Sequence, residues 1–154
     1  TRAETASRPS LLLEPRTARS AASRATPSDI EILKDHIAKE HAALDAGDNG
    51  RALNLSGRFH IEIARIADQD TIGRFIETLI ARSSLVIALY WRRESALCES
   101  HAHHALVQAI ADGDEQNAEE LMQSHLVDLN SALDFRDRPA QTLNRRELLQ
   151  ATDQ

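Results

Sequence analysis

A histidine set inside an apolar helical stripe constrains this chain more than any other feature. Leu53, Ser56, His60, Ile63 and Ala67 recur at the three- and four-residue steps that stack side chains on one helix face. His60 therefore points inward, where a buried imidazole needs partners for both ring nitrogens. The pattern occurs twice more. His103 stands in the stripe Glu99, His103, Leu106, Val107, Ile110, and His125 in the stripe Ala118, Leu121, Met122, His125, Leu126, Leu129, Ala132, Leu133. Three helices that each offer one inward histidine are expected to share a core. Zinc, nickel and similar ions take neutral imidazole as a ligand, and three imidazoles converging with an open coordination position form a recurring metal-site design. Against this stands the plainer reading, in which each histidine is a core residue hydrogen-bonded to a carbonyl or carboxylate. The spacing alone does not choose, because ligands spread over more than 60 residues lack the specificity of a compact motif.

The length of 154 residues fits one domain with a real core. A hydrophobic fraction of 42% with only 3% aromatics, five glycines and four prolines argues against a turn-rich β fold, so the chain reads as all-helical. The lone Cys98 has no internal disulfide partner and reads as a small packed residue. No apolar run reaches membrane-span length and no signal peptide is visible, so a cytoplasmic setting without membrane contact is expected. A net charge of −6 gives no footprint for nucleic acid. The chain opens on Thr1 rather than Met, as a fragment or a mature product of something longer would, and a nucleic-acid module left behind would escape that argument.

In chain order, residues 1–10 read as a linker and Leu11 to Arg24 as a first helix, with Pro15 tolerated near its start. Thr26-Pro27-Ser28-Asp29 is a strong helix start, with Thr26 as N-cap and the Asp29 carboxylate reaching back. The helix it opens turns Ile30, Leu33, Ile37 and Ala43 or Leu44 inward and ends near Gly47; Lys34, Asp35, Lys39 and Glu40 mark a solvated surface that takes in His36 and His41. The His60 helix follows the Asp48-Asn49-Gly50 turn and runs to about Ala67, with Asp70 expected to cap the next. That next helix, 71–92, is apolar on more than one face and should be central or should pack against a second subunit. A helix over 96–111 closes at Gly113, and Asp114 caps a last long helix to about Phe135. Residues 137–154 read as a polar tail or short helix.

The order of these features resembles the FCD domain, the effector-sensing half of FadR-type regulators in the GntR family of bacterial transcription factors. Leu13-Glu14-Pro15 precedes Ala21-Ala22-Ser23-Arg24-Ala25-Thr26, then come Phe59-His60, Ala102-His103, Ala109-Ile110-Ala111-Asp112-Gly113-Asp114 and Met122-Gln123-Ser124-His125-Leu126. His103 falls six residues before Ala109, and His125 eleven after Asp114. The resemblance implies an antiparallel bundle of six or seven helices over residues 11–136, enclosing a cavity where an aspartate and three histidines hold a divalent metal that helps to bind a small organic acid. It carries the histidines onto His60, His103 and His125. It also implies a homodimer, and operator DNA read by an N-terminal winged helix-turn-helix that does not fit in this chain, with the effector acting by population shift.

Where the family carries its aspartate, four residues before His60, this chain has Ser56. A hydroxyl is a far weaker donor to a divalent ion, so Ser56 is expected as an effector contact or weak fourth ligand. A three-histidine site still suits zinc, with nickel or manganese as other candidates, and without an anionic ligand it would carry more positive charge and favour an anion on the metal. The other outcome is that no metal binds and the histidines grip the acid themselves. The glutamate usual before the second histidine is Ala102, leaving Glu99 to orient His103 from behind, while His101 and His104 face solvent. The chain is read as a sensor and not an enzyme. The competing readings are a metal-dependent hydrolase, for which Glu99 is the one plausible general base, and a helical interaction module with structural histidines.

Overall fold

The computed structural model describes residues 2–90 and 93–132, with side chains described over 9–82 and 101–131. Among them are six helices and no strand: α1 (Arg2–Ala22), α2 (Pro27–Asp45), α3 (Asn49–Ile66), α4 (Asp70–Tyr90), α5 (Arg93–Ala111) and α6 (Glu115–Ala132). The helices form an antiparallel bundle, in which the short turns after α2, α3 and α5 fold each of these helices back on the next. Packing runs chiefly between α1 and α6, α2 and α3, α3 and α4, and α5 and α6, while α1 also meets α3, α4 and α5.

The helix ends follow local chemistry. At α2 the Thr26 hydroxyl accepts from the Asp29 N–H at 3.3 Å and the Asp29 carboxylate accepts from the Thr26 N–H at 2.9 Å, a reciprocal capping box with Pro27 just inside. Asp48 caps α3 by accepting from the Arg51 N–H, and Asp114 caps α6 by accepting from the Asn117 N–H. Gly113, at φ 68°, takes the left-handed conformation that lets the chain leave α5 and enter α6 within a few residues.

Several expectations need correction. The first helix begins at Arg2, within the stretch read as a linker, so Pro15 sits in a helix interior. Pro15 has no N–H for the helical ladder, and packing of α1 against four neighbours outweighs that lost bond. Asp70 is the first residue of α4 rather than its cap; the Gln69 carbonyl accepts the first helical bond, from Gly73. Helix α4 packs on α3 and α1. Among its described side chains only Ile76 is buried, and Phe75 is exposed. The apolar pattern predicted a helix either central or packed against a second subunit, and the exposed Phe75 speaks against the first over the stretch whose side chains are described. The expected helix over 96–111 starts earlier, at Arg93, and Phe135 and the tail over 137–154 lie outside the described residues.

The apolar core joins Leu33 and Ile37 of α2, Phe59 and Ile63 of α3, Leu106, Val107 and Ile110 of α5, and Met122 and Leu126 of α6, with the small residues Ala18 and Ala21 letting α1 approach closely. Inside that shell lies a set of buried polar side chains: Glu14, Thr17, Glu40, Ser56, His60, His103 and His125.

Candidate metal centre

The stripe that turns Leu53 and Ile63 of α3 into the core turns His60 in with them, and the same logic brings in His103 beside Leu106 and Val107 on α5 and His125 beside Met122 and Leu126 on α6. The three rings meet. The Nε2 atom of His125 lies 3.3 Å from Nε2 of His103 and 3.3 Å from Nε2 of His60. One ligand atom from each of the three falls within 4.8 Å of the others. Phe59 closes one side, stacking on His103 with ring centres 4.3 Å apart and meeting His60 edge-on at 5.9 Å.

Behind the rings stand two carboxylates. Glu14 of α1 meets His60 Nδ1 at 2.6 Å, and Glu40 of α2 meets His103 Nδ1 at 3.0 Å, both carboxylates being almost fully buried. With each carboxylate accepting from an Nδ1–H, the Nε2 atoms of His60 and His103 carry lone pairs, and both are aimed at His125 Nε2. A single proton on His125 cannot serve both well. A divalent ion can serve all three: with metal–nitrogen distances of about 2.0–2.1 Å, tetrahedral ligands stand about 3.3 Å apart, which is the separation of His125 Nε2 from each of the other two. Imidazole backed by carboxylate is also the usual arrangement for a metal-ligating histidine. The donor set therefore fits a divalent transition ion.

Electrostatics point the same way. Burial, with lesser contributions from neighbouring imidazoles, holds His103 and His125 well below the ordinary histidine range, so both are neutral at pH 7, the form that ligates. Burial pushes the Glu40 carboxyl up to about 7 in the absence of any ion, against the pull of His60, His41, His104 and His36. A cation on the far nitrogen of His103 would act in the opposite sense.

His60, His103 and His125 are thus brought together as the stripes predict. Ser56 is buried one turn before His60 on α3. The side chain of Glu99 lies outside the described residues, and the carboxylate found at His103 Nδ1 is Glu40. Glu40 was expected on a solvated surface; the structure buries it. His41 is half-buried against exposed His104, with ring centres 5.3 Å apart, and His36 is half-buried as well. His101 is exposed, as expected. The two carboxylates also offset the extra positive charge anticipated from the loss of the family aspartate. Glu14 appears in the sequence motif but not as a site residue, and Glu40 falls on the repeat Ile30, Leu33, Ile37, Glu40, Leu44, the same periodic signal that singles out the histidines.

The fold is similar to that of the GntR protein of Streptococcus agalactiae, with a TM-score of 0.75 and 22% identity over 84% of this chain and 58% of that one. It is also similar to McbR/YncC of E. coli, with a TM-score of 0.71 and 20% identity over 83% of this chain and 67% of that one. The chain thus spans 58% of the length of the first and 67% of the second. No curated protein matches it by sequence. The FCD domain matches residues 10–128, which include Glu14, Glu40 and all three histidines, and the chain belongs to the FCD domain family.

Proposed function

We propose that this chain is the effector-sensing part of a GntR-type transcription regulator, in which His60, His103 and His125 hold a divalent ion, zinc before nickel or manganese, and a small organic acid binds beside it. The observation that carries this reading is the convergence of three buried imidazoles, with His125 Nε2 3.3 Å from Nε2 of both His60 and His103, and a buried carboxylate at the opposite ring nitrogen of each of those two. An FCD domain is a ligand-sensing regulatory domain and not an enzyme, so the hydrolase reading is set aside.

A bound ion would supply a Lewis-acid attachment point for a carboxylate at its open positions. The chain's own residues do the rest. Glu14 and Glu40 fix the tautomers of His60 and His103 and balance charge in the core, Phe59 keeps water off one side, and Ser56 is placed to offer a hydroxyl to the acid or a weak fourth contact. Charge balance means that an anion would be selected by direct coordination and hydrogen bonding rather than by a broad positive field. In the whole regulator, a DNA-reading module and a homodimer would turn effector binding into a change of operator fit. No helix among the described residues is long and apolar enough to cross a membrane, which suits a regulator working in the cytoplasm.

The metal-free reading has its own support, because the contacts Glu14–His60–His125–His103–Glu40 also form an unbroken hydrogen-bonded chain. One experiment separates the two. Elemental analysis of the purified chain, with its Tm before and after chelator, should find about one equivalent of metal by the single-centre reading and a lower Tm once it is stripped. A screen of small carboxylates should then raise the Tm of the loaded protein and not of the stripped one. Metal-free protein with a Tm indifferent to chelator, stabilised by the same acids, would sink the metal reading and favour direct histidine contacts.

A further inference from the structure

We propose a second metal site on the surface where α2 and α5 pack together, formed by His41 and His104 and suited to a late first-row divalent ion such as Ni2+, Cu2+ or Zn2+. The two rings stand 5.3 Å apart, centre to centre, with their planes 57° apart. That separation lies within the 4.8 to 5.5 Å range spanned by the three rings of the buried centre. It is also what one ion requires: with metal–nitrogen bonds of about 2.1 Å, two ring centres across a tetrahedral angle fall roughly 5 Å apart.

The pair is set by tertiary structure, since each imidazole belongs to a different helix and α2 packs on α5. Its register is fixed from below. Glu40 and His103, the chain neighbours of His41 and His104, hold one another at 3.0 Å in the core. His104 is exposed and His41 half-buried, so ions in solution reach them, whereas His60, His103 and His125 are all buried. Two imidazoles with water in the remaining positions make a weaker, faster-exchanging site than the three-histidine centre, with copper and nickel favoured over manganese. Nothing in this depends on the inner centre being loaded.

Titration of the chelator-stripped full chain with Ni2+, followed calorimetrically, tests the site. Two classes of binding are expected. His41→Ala and His104→Ala should each weaken the lower-affinity class at least tenfold, leave the tight class intact and leave the Tm in chelator unchanged, because both rings are near the surface. His125→Ala should remove the tight class and spare the weak one. A weak class that survives both surface substitutions, or a single class lost only with His125→Ala, overturns the outer site and marks the His41–His104 contact as ring packing alone. A single class lost in His41→Ala and His104→Ala but kept in His125→Ala would uphold the outer site while removing the inner one. No Ni2+ binding at all would remove both.

Discussion

Helix α3 carries Ser56 and His60 on its inward face and buries both, whereas its neighbour α4, richer in isoleucine and leucine, leaves Phe75 61% exposed and buries Ile76 alone among its described side chains. The two helices pack closely enough that a Cβ added at Gly57 of α3 would lie 2.7 Å from Ile80 Cγ2 of α4. They differ in what surrounds them. Helix α3 packs on α1, α2 and α4, and even its polar side chains Ser56 and His60 are taken out of water; α4 packs on α3 and α1 and leaves Phe75 facing outward. Burial here is a property of position in the bundle, and hydropathy only correlates with it.

The contrast can be broken most directly with two phenylalanines. Phe59→Ala should cost about 3–5 kcal/mol, since the ring is fully buried and stacked on His103, while Phe75→Ala should stay within about 0.5 kcal/mol. Urea unfolding of the two variants measures both. Equal losses would mean that α4 is covered in solution, by a second copy for instance, as the sequence allowed.

Removing a carboxylate behind the histidines comes next. Glu40→Ala and Glu14→Ala should each weaken metal binding by about 10- to 100-fold through loss of ligand orientation and charge balance. Competition with a chromophoric chelator reads this. Unchanged affinity in both would show that the carboxylates only fill space.

Acid should act on the buried side of the contrast. In the metal-free protein, the folded pKa of His103 and His125 lies below the ordinary 6.5, so the unfolded chain binds more protons than the folded one, and their contribution is lost as pH falls below 6.5. Glu40, raised to about 7 from 4.5, works the other way between those values, because the folded state holds the proton there. Two histidines against one carboxyl leave a net loss of stability as the pH falls below 6.5. Denaturant midpoints in chelator from pH 7 to pH 4 test the sign.

The smallest effect is at the seam. Gly57→Ala gains about 1 kcal/mol of helix propensity but crowds Ile80, which costs about 1–3 kcal/mol. A modest net loss is expected, and adding Ile80→Ala should uncover the propensity gain as a positive coupling in a double-mutant cycle.

Much of this was legible beforehand. The caps at Thr26 and Asp114 and the exit at Gly113 are local chemistry, decided by a few adjacent residues, and so is the periodicity that marks His60, His103 and His125. Glu40 shares that periodicity, but a carboxylate between Lys39 and His41 looks solvated until its partner 63 residues away is known. Glu14 is harder still: its face of α1 is built from Ser10, Thr17, Ala18 and Ala21, too small and polar to register as a stripe. The exposure of α4 was illegible for the converse reason, because no apolar pattern says whether its cover comes from the same chain.

The run Glu14–His60–His125–His103–Glu40 draws one side chain from each of α1, α3, α6, α5 and α2, bridging sequence separations of 46, 65, 22 and 63 residues. No fragment and no half-folded intermediate can present all five groups at once. The run is therefore closed only when these five helices have all docked, so its continuity is a record of assembly that no single helix pair can counterfeit.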